Sequence, residues 1–265
     1  MTARAPRPER RQLPRWGRGL IGVMVVILLA EAFTRAGPVN PAYLPPVSEV
    51  LLRVAELLTS AEFLGQVALT LQAWAIGLGL AVAVGVPAGV VLGSSNFVYS
   101  ATRAIVEFLR PIPSVALIPL AILLFGLGTE MKVSLVVYAS LWPILFNTIY
   151  GMHDVDPVAK DTARVYGFGR LAVLVRVSLP SAAPFIYTGI RIAAAVALIL
   201  TLSAEILGAR HGLGQWIVSA AAASRADLVY AGVVVTGLLG FLINWVTVVV
   251  ERRVFGWQPA LREAP

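Results

Sequence analysis

Residues 63–102, FLGQVALTLQAWAIGLGLAVAVGVPAGVVLGSSNFVYSAT, run for forty positions without one Asp, Glu, Lys or Arg. About 20 apolar residues suffice to cross the hydrocarbon of a bilayer, so this stretch belongs in a membrane. The whole chain agrees: of 265 residues, 58% are hydrophobic and only 13% charged, against roughly half and a quarter in soluble domains.

On either side of this stretch hydropathy predicts further spans, at residues 17–36, 63–93, 104–126, 131–150, 184–207 and 229–250. Because lipid leaves backbone groups no partner but one another, the fold class is an all-α integral membrane protein with six transmembrane helices. The second span is long, and a hairpin of two short spans is the alternative to one helix bent at Pro87. Charge decides between them, since cytoplasmic loops carry the Lys and Arg excess. With six spans and a cytoplasmic N-terminus, the inner parts hold Arg4, Arg7, Arg10, Arg11, Arg15, Arg18, Arg103, Lys160, Arg164, Arg170, Arg176, Arg252, Arg253 and Arg262. The outer parts hold Arg35, Arg53, Lys132, Arg210 and Arg225. A hairpin would put Lys160, Arg164, Arg170 and Arg176 outside, so the second span is read as one helix and both termini as cytoplasmic.

The same bias accounts for the net charge of +7 without nucleic acid, for which no compact basic and aromatic module is present. With no cysteine there are no disulfides, thiolate metal sites or thiol catalysis. The arginines before the apolar run 19–33 suit a signal peptide, but several later spans favour a retained first helix. The chain divides into a basic segment 1–16, a transmembrane region 17–250 containing the loop 151–183, and a tail 251–265. Between the first two spans, Val47, Val50, Leu51, Val54, Leu57 and Leu58 share one face of an amphipathic helix at the outer interface.

Small residues four apart mark helix faces whose backbones meet. Ala73, Gly77, Ala81, Gly85, Gly89 and Gly93 form such a stripe in span two, and Gly189, Ala193, Ala197 and Thr201 in span five, where it ends on Glu205. Glu107 and Arg110 have the spacing of an intrahelical ion pair, Arg191 reads as a structural cation, and Pro111, Pro113, Pro119 and Pro143 introduce bends.

Loop 151–183 is the most informative segment. Asp156 and Pro157 supply an N-cap and first-turn proline, residues 158–166 follow as a short helix, and Gly167 ends it. A second helical stretch, 170–179, is closed by Pro180. Asp161-Thr162-Ala163, Gly167 after three residues, and Val177-Ser178-Leu179-Pro180 after nine more resemble the cytoplasmic signature of ATP-binding-cassette (ABC) importer permeases, Glu-Ala-Ala-x3-Gly-x9-Ile-x-Leu-Pro. Asp161, Thr162 and Val177 depart from it conservatively. RPIPSVALIPL at 110–120, FGLG at 125–128, Gly189-Ile190-Arg191, Glu205 and Gly212-Leu213-Gly214 are similar to the permeases for sulfonate, taurine and nitrate; Gln72 stands where that group often has Arg.

The resemblance implies that the short helix is a coupling helix, with Asp161, Thr162, Ala163, Gly167, Val177, Leu179 and Pro180 serving the contact with an ATPase. It implies a homodimer or paired permease in a bacterial inner membrane, two cytoplasmic ABC ATPase subunits and an extracytoplasmic solute-binding protein. Glu205, Gly212 and Gly214 would lie near the outer docking site or gate. The cargo, a small anion or a vitamin precursor, is left open.

Neither rival function fits as well. Lys132 and Lys160 lack a phosphate-loop setting, and His153 and His211 fall on opposite sides, so neither ATP hydrolysis nor a His-based zinc or serine site is expected, and no cofactor or metal. A secondary transporter or channel would carry coupling-ion ligands at mid-membrane, whereas spans two, four and six read as free of charge, and it leaves loop 151–183 without a purpose.

Overall fold

The computed structural model describes residues 15–37, 40 and 42–255, and these are built from helices and their connections alone. Most of the predicted basic N-terminal segment and the tail beyond residue 255 lie outside the described residues. The long helices are α3 (Ala61–Ser94), α6 (Thr129–His153), the continuous run Arg170–Leu207 and α11 (Ala226–Val254). Each is long and apolar enough to cross a bilayer. A fifth candidate crossing is a bent pair, α4 (Asn96–Leu109) with the segment Ser114–Phe125, which contains a 3-10 turn and then α5 (Ile118–Phe125). The described residues therefore carry four spans by length and composition, or five with the bent pair, against the six expected. The remaining long apolar helix is α1 (Arg15–Arg35).

The second expected span is one 34-residue helix, unbroken through Pro87. Ser60 caps its start by accepting from the Phe63 N–H, and Ser95 ends it in extended backbone while capping α4 through the Val98 N–H. The third span is not the single bent helix expected. Its halves meet at 77°, at a break where neither Pro111 nor Pro113 has an N–H to continue the helical bonding and Pro113 is extended at ψ 117°. Pro119 sits in the first turn of α5, where a missing N–H costs nothing. The expected Glu107–Arg110 pair does not form. Glu107 takes the i, i+4 partner on its own helix, Arg103, at 2.7 Å. Arg110 lies beyond the last helical residue, and its guanidinium rests 4.4 Å from the centroid of the Phe146 ring.

At the centre α6 is gripped by both small-residue stripes. Gly77, Gly85, Gly89 and Gly93 of α3 face Val136, Ile144, Thr148 and Met152, so α3 and α6 run parallel. On the other side Gly189 of α9 (Leu179–Leu207) faces the Pro143 carbonyl and Asn147, and Ser140 Oγ donates to the Ala193 carbonyl, so α9 runs antiparallel. Ala73, Ala81, Ala193 and Ala197 are completely buried along these seams. Trp74 Nε1 joins the gripping helices directly, donating to the Ala194 carbonyl at 2.9 Å.

The short α2 (Val47–Leu57) forms where its pattern predicts, but protein covers much of its apolar face. Val50, Val54 and Leu57 pack with Phe63, Val67, Leu213, Ala231 and Val235, while Leu51 and Leu58 stay exposed. Arg53 binds Asp227 at the start of α11 at 3.0 Å. Arg191 has a structural partner, Glu251 of α11 at 3.0 Å, beside a bond from Tyr187 Oη to the Thr247 carbonyl. Gln72 is exposed on α3.

A methyl group added at Gly89 would lie 2.5 Å from Thr148 Cβ and 3.0 Å from the Leu145 carbonyl, whereas Gly79 has open space. Alanine normally favours a helix over glycine by about 1 kcal/mol. Gly79→Ala should therefore leave the detergent melting temperature level or raised, and Gly89→Ala should lower it; equal behaviour would show that the α3–α6 seam is not tight.

Candidate functional site

Two clusters stand at opposite ends of the helix bundle. The first follows α6. Asp156 Oδ1 accepts the Val158 N–H at 2.8 Å and Pro157 fills the first helical position, giving α7 (Pro157–Val165). The helix ends with two bonds that turn the chain back: the Gly167 N–H reaches the Arg164 carbonyl at 2.9 Å and the Phe168 N–H reaches the Ala163 carbonyl at 3.1 Å. Such an ending needs a left-handed residue, and Gly167 supplies it at φ +85° with no neighbour near its missing Cβ. Conformation, not crowding, is the reason for this glycine.

The predicted signature residues separate by face. Asp161, Thr162 and Gly167 are exposed, together with the apolar Val158, Val165 and Tyr166, while Ala163 alone on α7 is buried. Asp161 pairs with Arg164 of its own helix at 2.8 Å. Leu179 packs on Met152, Val155, Ala182 and Ile186, Val177 is half-buried, and Pro180 is exposed. The predicted stop at Pro180 does not occur. A short α8 (Arg170–Val173) passes through a π turn (Leu174–Ser178) directly into α9. In that turn the Leu179 N–H reaches five residues back to the Leu174 carbonyl, which makes room for a proline ring that would clash in a regular helix.

The second cluster lies where the two stripes run out. Glu205, the last member of the α9 stripe, is 1% exposed and receives Lys132 Nζ of α6, itself 3% exposed, at 3.0 Å. Thr70, one turn before Ala73 on α3, lies 2.9–3.0 Å from both carboxylate oxygens through Oγ1. Lys132 also donates to the His211 carbonyl at 3.2 Å. Around this pair is docked α10 (Leu213–Ala222), a helix that hydropathy did not single out. Its leading N–H groups find acceptors on other helices: Gly212 on Gln66 Oε1, Leu213 on Thr70 Oγ1 and Gly214 on Glu205 Oε2, at 2.8–2.9 Å. Gly212 adopts φ +125°, and a Cβ there would collide with the Glu205 carboxylate.

Glu205, Gly212 and Gly214 thus meet in one cluster. Lys132 is a correction: counting it with the outer parts and span four as uncharged fails, because it lies one position inside the expected span 131–150 and is buried in the first turn of α6. Thr70 and Gln66 were also missed, although Thr70 continues the α3 stripe by one turn. Among the described residues no group of three or more His, Asp or Glu could hold a metal. The charges are consumed in holding four chain segments together, and the site is built for positioning.

Removing one partner of a buried ion pair costs about 3–5 kcal/mol, because the other charge is left unpaired. Lys132→Met and Glu205→Gln should each lower the melting temperature strongly, and the double variant should be more stable than the sum of the two losses. Strict additivity would mean that the pair does not interact.

Comparison with known proteins places the chain. Residues 81–256, from the second half of α3 through α11, match the family described as "Binding-protein-dependent transport system inner membrane component". The taurine transport system permease protein TauC of Escherichia coli (strain K12) is 31% identical over 83% of this chain and 82% of its own length. The aliphatic sulfonates transport permease protein SsuC of Bacillus subtilis (strain 168) is 29% identical over 92% and 88%. The nitrate import permease protein NrtB of Leptolyngbya laminosa is 29% identical over 71% and 68%. Among solved structures, the MetNI methionine ABC transporter in an inward-facing conformation has the same fold, with a TM-score of 0.66 over 73% of this chain and 96% of that one at 20% identity. The chain belongs to the family of binding-protein-dependent transport system inner membrane components, as an ABC importer permease of the sulfonate, taurine and nitrate type.

Proposed function

We propose that this permease conducts a small anionic solute inward and is driven through α7 by separate ATPase subunits. The supporting observation is mechanical. The capped α7 leads, through Gly167, into the single 38-residue helix Arg170–Leu207, which contains the π turn and holds Glu205 near its other end. At 1.5 Å per residue that helix is about 57 Å long, enough to link one membrane face to the other. A push on α7 moves a stiff rod whose far end is bolted to α3, α6 and α10.

In this reading the α7 end is cytoplasmic. Lys160, Arg164, Arg170 and Arg176 cluster there, and α11 ends on the same side with Arg252 and Arg253, as the positive-inside rule requires. The 21-residue α1 is the sixth crossing, about 31 Å long and carrying exposed Ile21, Val26, Leu29 and Phe33, with both termini inside. The exposed surface of α7, with Val158 and Asp161, and Tyr166 just after it, is the ATPase contact. Two permeases, alike or paired, bind two ATPases in the inner membrane and receive cargo from an extracytoplasmic binding protein.

Taurine, aliphatic sulfonates and nitrate, the solutes in the relatives' names, are small and carry anionic groups. In keeping with them, a cavity of about 250 Å³ at the outer end has Arg210 and His211 in its lining, beside the Lys132 already paired with Glu205, and no acidic residue.

A leucine at left-handed φ costs about 1–2 kcal/mol, whereas asparagine visits that region readily. In the assembled transporter, Gly167→Leu should lower solute-stimulated ATP turnover about tenfold or more and Gly167→Asn should retain most of it, with membrane insertion unchanged in both. Asp161→Lys should also abolish stimulation. Wild-type turnover in Gly167→Leu and Asp161→Lys alike would refute coupling through α7.

A further inference from the structure

A cavity of about 690 Å³ lies behind α7 and is not used by the mechanism above. Its walls come from three places: the last turn of α3 at Ser94, the end of α6 at Met152, and the α8 and π-turn residues Arg170 and Leu174. Lys160 and Arg164 of α7 complete the lining, which contains no Asp or Glu. Two of the three cations lack a carboxylate partner among the described residues. Arg164 is paired with Asp161, but Lys160 makes only a 3.5 Å contact with the Met152 carbonyl, and neither Lys160 nor Arg170 forms an ion pair among the described residues. Beside them the surface is apolar, with Leu171 and Val175 exposed.

Unpaired cations converging on a cavity of small-molecule size call for an anion that accepts several hydrogen bonds. We propose that this cavity binds a phosphate-bearing anion, and that the anion is the headgroup of an acidic phospholipid. The chemistry alone fits a free phosphate equally well. Position favours the lipid: the cavity sits level with the inner ends of α3 and α6, and its polar rim borders exposed leucine and valine that acyl chains can cover. An anion held here bridges Lys160 on α7 to Arg170 at the start of the long helix. It ties the coupling helix to the rod, so the bilayer's anionic lipid sets how firmly α7 is seated. The location of the cavity at the inner leaflet rests on the topology proposed above.

The test uses the full chain, purified and stripped of lipid, with melting temperature as the readout. Dioleoylphosphatidylglycerol should raise the melting temperature of the wild type by about 5 °C, and dioleoylphosphatidylcholine should not. Lys160→Gln with Arg170→Gln should lose more than half of that rise. Arg252→Gln with Arg253→Gln removes the same charge at the same end of the bundle and should keep it. Inorganic pyrophosphate giving an equal, variant-sensitive rise would keep the phosphate site and assign it to a soluble ligand. Equal protection by both lipids, or a full response in the Lys160 and Arg170 variant, would overturn the proposal. No ATPase enters the readout, so a failure here is distinct from a failure of coupling through α7.

Discussion

Close approach of three backbones is the constraint on which the rest of the structure depends. In lipid there is little hydrophobic gain from pressing one apolar helix on another, so association rests on van der Waals contact over faces without side chains. The stripes of α3 and α9 provide two such faces, and α6 fills the gap between them with Val136, Ile144, Thr148 and Met152. Fixing α6 against both neighbours also fixes the ends of the stripes, and there the packing changes character. Thr70, Lys132 and Glu205 replace small residues by polar ones and meet where the helices are already held. A buried ion pair is weak evidence for net stability. Here it specifies a geometry, seating α10 by its leading N–H groups and fixing the turn at Gly212.

At the other end the design is mechanical. Short loop helices are marginal on their own, and α7 is defined by its boundaries: Asp156 and Pro157 at the start, the left-handed Gly167 at the end, and Ala163 turned inward. The π turn is the second device. It lets Pro180 sit inside a helix that continues without interruption, so α7 is joined to a stiff element. The two ends are thereby parts of one body, with the signature residues at one extremity and the Glu205 cluster at the other.

Much of this was legible in the sequence because it follows from periodicity and from local rules. The charge-free stretch, the two stripes, the capped helix and the role of Gly167 each depend on residues within a few turns of one another. The errors share an origin in long-range geometry. Lys132 looked like a loop cation because its partner is 73 residues away. Glu107 and Arg110 looked like partners because spacing was the only information, whereas Glu107 pairs with Arg103 and Arg110 lies over the Phe146 ring of α6. Pro180 looked like a stop because a π turn leaves no pattern of its own. The short apolar α10 was hidden within a loop because its N-terminal capping comes from α3 and α9.

The central claim is that α7 faces the cytoplasm as the handle of the rod. The chain contains no cysteine, so single cysteines can be placed on it without background. Asp161→Cys at α7 and Thr59→Cys at the opposite end should react oppositely with a membrane-impermeant maleimide in intact cells: residue 59 labelled, residue 161 protected until the membrane is opened. Labelling of residue 161 from outside intact cells, with residue 59 protected, would contradict the account.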